Sequence, residues 1–538
     1  MRSFFFALLL LLPNLLLAQQ GSVTWGPAST TNSFFHSFIK GSDQDFVKVC
    51  IETKSSDMYL SLSRFSRTLQ GQSNSTTIEL TKAENINSVL SLKDRIFVLT
   101  NRYDAKAKMN SLFCRFIYGS TLRQEEAPIN CGFFESSSKS SPAVVSYAVS
   151  KDSSKVLMLA CSPNSNNNPL RYYIRVQDGK MSKLWEKNVE LRSAGKFTKI
   201  LNTIITNNGE VGVVIKQYQT ETTDETIKRN GVKVPSYITK LLLYSREAEQ
   251  PAEYDLSSDK YLHTIEISEN NKGLVLLSLL QNTPSGRINT YSIIELDKNF
   301  KQTANPKISM FPAELLRLID LDRQGSANGD DAGIDKLFQL KKVVNRGNGD
   351  TDFLLEFVAS DVVKSSFGKD PTASVSYESK VINGRPEVYP SGGYAYGAFL
   401  HGDIIDINFK ADGNCVLTRI PKGQYARDND RLGGFNAMGY KDKLLLFYNE
   451  NEKNLQRDLN KKNGGINFAA GERASYAMAV IDGMGNLKRS LVIDKVPFGY
   501  TVVSNSCLKV AENKLAFYAS KDGSLSTGKS IIGTIEIK

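Results

Sequence analysis

The chain has 538 residues, 67 Lys and Arg against 56 Asp and Glu, and a formal net charge of +11 at pH 7. Such a length implies several domains or one large repetitive one. The basic excess is scattered, its densest local clusters being the dipeptides Lys341–Lys342 and Lys461–Lys462, which disfavours a nucleic-acid reader that gathers positive charge on one face.

Residues 1–20 read MRSFFFALLLLLPNLLLAQQ, with Arg2 before an apolar run and the small Ala18 before polar Gln19–Gln20. This is the layout of a secretory signal peptide cleaved after residue 18, too short and too interrupted for a comfortable membrane span. No later stretch reaches the ~18 uncharged apolar residues of a spanning helix, so no transmembrane segment is expected after cleavage. The mature chain, 19–538, is expected to be secreted to the periplasm, the outer surface or the medium.

A unit then recurs along the chain: a short apolar strand, a polar turn, and a strongly apolar strand. It is seen in NSVLSLKDRIFVLT from Asn87, VSYAVSKDSSKVLML from Val145, NTIITNNGEVGVVI from Asn202 and HTIEISENNKGLVLL from His263. Later copies are KKVVNRGNGDTDFLLEF from Lys341, FNAMGYKDKLLLF from Phe435 and NSCLKVAENKLAFY from Asn505. Their Lys-Asp, Asn-Gly and Asn-Asn turns tolerate hairpin geometry. The second strands are apolar on both faces, as strands between neighbouring sheets must be. The copies are spaced by about 55 to about 91 residues, longer than compact propeller repeats, so the loops must be enlarged. A second, alternating hairpin follows many units, as in YYIRVQDGKMSKLWEKNVEL and YAMAVIDGMGNLKRSLVI, the pattern of a half-solvated outer pair. Two hairpins per unit make a four-stranded blade. The expected fold is therefore all-β, a single β-propeller of about seven blades, six to eight being compatible with the repeats. The terminal SIIGTIEIK is expected to close the ring against an N-terminal strand such as DFVKVCIET. The alternative architecture is two stacked β-sandwiches.

Two insertions interrupt the repeat, at about 306–340 and 365–397. The first holds FPAELLRLIDLD, whose Leu315, Leu316, Leu318 and Ile319 fall at near-helical spacing behind a Pro. DLDRQGSANGDD follows and fits a calcium loop: Asp320, Asp322 and Gln324 at the first, third and fifth positions, Gly325 at the sharp turn, Asn328 at the ninth and Asp331 at the twelfth. IDKLFQLKK is the expected exit helix. Gln at the fifth position and Asp at the twelfth depart from the pattern, and the shorter last ligand implies weak affinity. Calcium is the one cofactor the sequence suggests. In the second insertion, YPSGGYAYG offers tyrosines for stacking on a sugar.

Within residues 402–455, GDIIDINFKADGNCVLTRIPKGQ leads through Asp428 and Asp430 into KLLLFYNENEKN. This stretch resembles a pattern in uncharacterised secreted bacterial proteins with β-propeller-like (WD40-like) repeats, with Asn449-Glu450 where their hairpin has Asn-Asp. The resemblance covers about a tenth of the chain. It implies the fold and export, and it brings no activity or site residues.

GSLSTGKS, Gly523 to Ser530, matches the phosphate-loop pattern, but the β-branched IIGTIEIK follows where a helix is needed, so it reads as a hairpin turn. The histidines, His36, His263 and His401, are far apart and in strand-like contexts, and no HExxH or GxSxG occurs; catalytic residues are not assigned. Six cysteines, Cys50, Cys114, Cys131, Cys161, Cys415 and Cys507, contain no CxxC, and export permits disulfides among their fifteen pairings. The expected function is binding or scaffolding of an envelope protein or polysaccharide. The alternative is a hydrolase or lyase acting on extracellular polysaccharide through carboxylates.

Overall fold

A strand that is apolar on both faces needs a sheet on each side of it, and a computed structural model of the protein shows how these strands obtain it. The structure describes residues 21–538 apart from 32–33, 43–44, 55–56, 70–71, 81–83, 126, 136–143, 162–168, 321–331, 363–375, 383–384, 392–396, 428–431, 460–464, 469–473, 495, 497–498 and 522–527. Seven antiparallel sheets follow one another along 34–80, 84–135, 144–194, 198–255, 261–310, 338–427 and 436–493. The eighth joins residues 500–536 to Ser22–Trp25. They are the blades of an eight-bladed β-propeller, within the expected range and one more than the repeats counted in the sequence. We call the strands of each blade a to d, from the first strand outwards.

The apolar second strands of the repeats are the b strands. Ile96, Val156, Val211, Phe353 and Leu444 are wholly buried there, and Leu274 and Leu515 nearly so. The uncounted unit is blade 1, and it corrects the expected closure. DFVKVCIET lies in Asp45–Lys54, the b strand of blade 1, paired with Phe34–Lys40 on one side and Asp57–Ser66 on the other. Its Val47 and Val49 are fully buried, which suits the interior of a sheet. The strand that closes the ring is Ser22–Trp25, paired with Gly528–Glu536 so that Trp25 lies opposite Gly533. Its alternation of exposed and half-buried residues is that of an outer strand. A Cβ at Gly533 would fall 2.0 Å from the Phe517 ring, which in turn takes the edge of Trp25 at 5.2 Å.

Five a strands carry a bulge near their start, at His36, Asn87, Leu201, His263 and Lys341. Bulges add twist and re-aim a side chain, and two of the three histidines occupy these equivalent positions. Neighbouring blades are tied by side chains reaching across. Asn202 Nδ2 donates to Glu266 Oε2 at 2.9 Å and to Ile265 O at 3.3 Å, and Asn436 Nδ2 donates to Cys507 O at 2.9 Å.

Because each blade is an up-and-down meander, every a–b and c–d turn emerges on one face, and every b–c loop and d–a connection on the other. The first face carries tight turns, the longest being 119–128 and 298–306. The second carries four long excursions, at 219–236, 311–337, 363–396 and 451–474. The helix expected after Phe311 spans Ala313–Asp320 and buries Leu315 and Ile319 against Ile334 and Phe338. The exit segment differs from expectation. Ile334 exchanges both backbone hydrogen bonds with Ile288, at 2.8 and 2.9 Å, and Phe338–Asn345 is the a strand of blade 6. Ile334 and Phe338 of IDKLFQLKK are captured by the propeller core, which outweighs the local helical spacing. The remaining sequence-level hairpins fall as expected, with Pro169–Asp178 and Lys183–Ala194, and Ser475–Ile481 and Leu487–Ile493, as c–d or equivalent outer pairs.

Candidate functional site

The densest polar construction lies at the loop-face end of blades 6 and 7. It begins with a break in a strand. The d strand of blade 6 runs Cys415–Ile420, stops at Pro421-Lys422-Gly423, and resumes as Gln424–Arg427 on the same partner strand, Gly397–Phe409. Pro421 has no N–H to give a ladder, and the break turns Lys422 inwards until it is 2 % exposed. Asp403, on the partner strand, accepts the orphaned Lys422 N–H at 3.1 Å and Arg419 Nε at 2.7 Å. Beyond the break, Gln424–Tyr425 pair in parallel with Ile466–Asn467. The b–c excursion of blade 7 is thereby drawn onto the edge of blade 6.

Lys422 Nζ meets Glu356 Oε1 and donates to Gln424 Oε1 at 3.0 Å, while His401 Nδ1 stands 3.3 Å from the same Glu356 oxygen. Gln424 Nε2 donates to Asn449 O at 2.7 Å, and Asn449 Nδ2 donates to Leu432 O at 3.0 Å and Val502 O at 2.8 Å. One chain of hydrogen bonds thus runs from blade 6 through blade 7 to blade 8. Gly433 closes the pocket around His401, since a Cβ there would sit 2.1 Å from the imidazole Cδ2. Burial alone would push the Glu356 carboxyl up, but Lys422 and His401 more than offset it and hold it well below the usual carboxylate range. Burial draws the Lys422 amine down, against the pull of Glu356.

Glu450 lies beside this chain and is fully buried. It accepts from Asn451 N at 2.8 Å and Asn454 Nδ2 at 2.7 Å. Burial wins over these donors and raises its carboxyl to about 7. A carboxyl that binds its proton more tightly in the fold than in the open chain stabilises the fold fully below the unfolded value. That contribution is lost as pH rises through the folded value. We expect stability to fall by about 3 kcal/mol between pH 4.5 and 7 from this group alone, and Glu450→Gln to remove that slope. Urea midpoints across this range for both chains are the check; parallel profiles would refute the assignment.

A second buried set sits at the turn-face end of blade 6. Arg346 holds Asp352 with Nε at 2.8 Å and Nη2 at 2.7 Å, Asn408 Nδ2 donates to Asp352 Oδ1 at 2.7 Å, and Arg346 Nη1 donates to Asp442 O of blade 7 at 3.1 Å. Asp406, 3.5 Å from Arg346, is pushed well up by burial and by the Asp352 charge.

On the turn face, blades 3, 4 and 5 frame an open cleft of about 560 Å³ lined by Lys151, Asp152, Asn207, Glu269, Asn270 and Lys298. Asp152 N donates to Asn207 Oδ1 at 2.8 Å, and Asn207 N donates to Glu269 Oε2 at 3.1 Å. Burial pushes the Glu269 carboxyl up. At Asp152 burial pushes the carboxyl up, but the hydrogen bonds from Ser150 and Ser154 and the charge of Lys155 together outweigh it and lower it.

Of the residues singled out in the sequence, His401 joins the blade 6–7 chain, and Asp403, Lys422, Gln424, Asn449 and Asn454, all within the stretch that carries the resemblance, build it or its immediate flank. That stretch is therefore readable as a structural clamp. Glu356 and Arg346 carried no sequence signal, because their partners lie on other strands. In the calcium loop, Asp320 ends the helix, while Asp322, Gln324, Gly325, Asn328 and Asp331 lie outside the described residues, as do Asp428 and Asp430. Among the described residues, no group of three or more His, Cys, Asp and Glu side chains is placed to hold a metal ion. Lys529 and Ser530 of the phosphate-loop match lie in the strand Gly528–Glu536, where a phosphate would need a helix N-terminus.

No family model and no curated protein matches the chain. Among solved structures, it is similar to the WD40 domain of SCAP from fission yeast, with 9 % identity, 97 % of this chain and 96 % of that one covered, and a TM-score of 0.37. It is also similar to the β-propeller domain of the Trilobed protease from Pyrococcus furiosus, with 9 % identity, coverage of 87 % and 97 %, and a TM-score of 0.31. Prolyl oligopeptidase B from Galerina marginata matches at 8 % identity and a TM-score of 0.38, and the chain spans 56 % of its length. The eight-bladed ring rests on the strand pairing of this chain.

Proposed function

We propose that the protein is an exported β-propeller that binds an envelope protein or polysaccharide through its loop face. The observation that carries this reading is the asymmetry of the two faces: the four long excursions all emerge on one side of a ring whose other side has tight turns. Loops on a rigid scaffold are where recognition concentrates. The excursion 363–396 is rich in Ser, Gly and Tyr, including Tyr377, Tyr389, Tyr394 and Tyr396; such residues supply rigid aromatic contact and adaptable hydrogen bonding at small entropic cost. The polar chain beneath this face supports the same reading. Glu356, His401 and Lys422 are each 2 % exposed and engaged with one another, so they serve to fix the base of the loops. Calcium at Asp320, Asp322, Gln324, Asn328 and Asp331 would brace the neighbouring excursion.

The test is affinity capture with the mature chain from solubilised envelope and from the polysaccharide fraction, in calcium and in chelator. We expect a saturable partner that is lost, with the fold intact, when 363–396 is replaced by a short turn. Loss in chelator would locate calcium at Asp320–Asp331. Capture that survives the replacement, or no partner in either fraction, would overturn the reading.

A second reading, cleavage of extracellular polysaccharide, is favoured by the turn-face cleft. There Glu269 is raised and Asp152 lowered, the split that separates a general acid from its partner carboxylate. Against it, both Glu269 oxygens already accept Asn207 N, at 3.1 and 3.3 Å, as a clasp between turns would require. Polysaccharide cleavage abolished by Glu269→Gln would establish the second reading.

A further inference from the structure

The six cysteines are distributed over five blades: Cys50 in blade 1, Cys161 in blade 3, Cys415 in blade 6, Cys507 in blade 8, and both Cys114 and Cys131 in blade 2. Cys114 is on the c strand Met109–Tyr118 and Cys131 on the d strand Ile129–Glu135. These strands pair with Cys114 opposite Ile129. The register then slips: Asn130 lies opposite Phe113 and Gly132 opposite Leu112, so that Cys131 is the extra residue of a bulge. The bulge has a clear consequence for burial. Ile129 and Phe133 are 45 % and 61 % exposed, whereas Cys131 between them is 3 % exposed and packs in one cluster with the fully buried Cys114. The bulge is held from both sides. Asn130 Oδ1 accepts Gly132 N at 2.9 Å, and Arg175 of blade 3 donates through Nη1 to Cys131 O at 2.5 Å. Cys131 Sγ donates to Ile129 O at 3.7 Å and Cys114 Sγ to Arg115 O at 3.9 Å, and both thiols lie in the same buried cluster.

From this geometry we propose that Cys114 and Cys131 are a disulfide site, which staples the outermost strand of blade 2 to the strand inside it. Two buried cysteines on paired strands, with the bulge turning Cys131 into the cluster that holds Cys114, meet a condition of proximity that most cysteine pairs fail. The other four cysteines each sit in a separate blade, so this pairing stands out from the fifteen. The neighbouring Cys114 thiol and Arg175 lower the Cys131 thiol, whereas Cys131 and burial raise Cys114, so we assign Cys131 as the attacking sulfur and Cys114 as the resolving one. With glutathione disulfide as oxidant, the Cys131 thiolate attacks one glutathione sulfur and expels the other glutathione as thiolate. Cys114 then gives its proton to that thiolate and attacks Cys131 Sγ in the mixed disulfide, expelling the second glutathione. The protein loses two electrons and two protons, and one glutathione disulfide becomes two glutathione thiols. The bond closes a loop that contains the c–d turn, constraining the unfolded chain and fixing an edge strand.

The experiment needs no knowledge of the compartment. The full mature chain is refolded from denaturant in glutathione buffers from fully reduced to fully oxidised, acid-quenched, and its thiols counted before non-reducing peptide mapping. We expect two of the six thiols to disappear together, with the Cys114 and Cys131 peptides linked. The Cys131→Ala chain should keep its remaining thiols in the same buffers. Retention of all six thiols in oxidised glutathione, or a link between any other pair, would overturn the proposal. Because the buffer sets the redox state, that result is independent of whether the protein is exported.

Discussion

Replacing Lys422 by methionine should destabilise the protein by about 3–5 kcal/mol, the cost of leaving a buried charge without its partner. Glu356, 2 % exposed, would keep His401 beside it and lose its buried cation. Without Lys422, burial pushes the Glu356 carboxyl up and favours its neutral form, so the loss should be smaller in acid. Methionine fills much of the same volume, which separates charge from packing. The double variant Lys422→Met, Glu356→Gln removes both charges and should recover most of the loss, since replacing both members of a buried pair is often close to neutral. Urea unfolding followed at blades 6 and 7 by hydrogen exchange reads all three chains. A single variant as stable as the parent would show that the ion pair is not what holds the break at Pro421. A double variant no better than the single would assign the effect to shape instead.

Removing the closing strand should have an effect of similar size. A chain beginning after Trp25 loses the pairing of Ser22–Trp25 with Gly528–Glu536 and the Trp25–Phe517 edge contact. The loss of the tryptophan alone corresponds to about 3–5 kcal/mol where such a ring is buried, and less for its half-buried setting here. The greater consequence is topological. The stretch 533–536 becomes an exposed edge with unpaired donors and acceptors, and Ile535 lies along it, while Ser29–Thr31 still covers 528–530. Such an edge invites pairing with a second chain. We therefore expect a lower melting temperature, loss of exchange protection over Lys514–Glu536, and concentration-dependent association in sedimentation. Trp25→Ala in the full chain should show the first effect without the last. A truncated chain that stays monomeric and melts with the parent would mean that the ring does not depend on this strand.

Both predictions concern places where local sequence misleads. DFVKVCIET reads as a good strand in isolation and gives no indication of whether it lies inside a sheet or closes one. Only the pairing of Phe34–Lys40 and Asp57–Ser66 on its two sides decides that. SVTW is too short to stand out from the polar residues around it, and it becomes a strand because Gly528–Glu536 presents an edge. The same holds for IDKLFQLKK, where helical spacing gives way to a bridge between Ile334 and Ile288 and to burial of Phe338.

What the sequence by itself determined is the repeat. Strongly apolar b strands with hairpin turns before them must be buried between sheets, which makes the fold all-β and favours a ring of about seven four-stranded blades over stacked sandwiches. It also determined the helix at Ala313–Asp320, whose Leu315 and Ile319 share a face within a single turn. Periodicity and turn chemistry act over a few residues, so they survive in one dimension. The blade count, the closing strand, the clustering of long excursions on one face, the Glu356–Lys422–His401 contact and the meeting of Cys114 with Cys131 were decided by tertiary structure. Each depends on residues far apart in the chain or on a single slipped register, and a pairing energy of that kind leaves no periodic trace in the sequence.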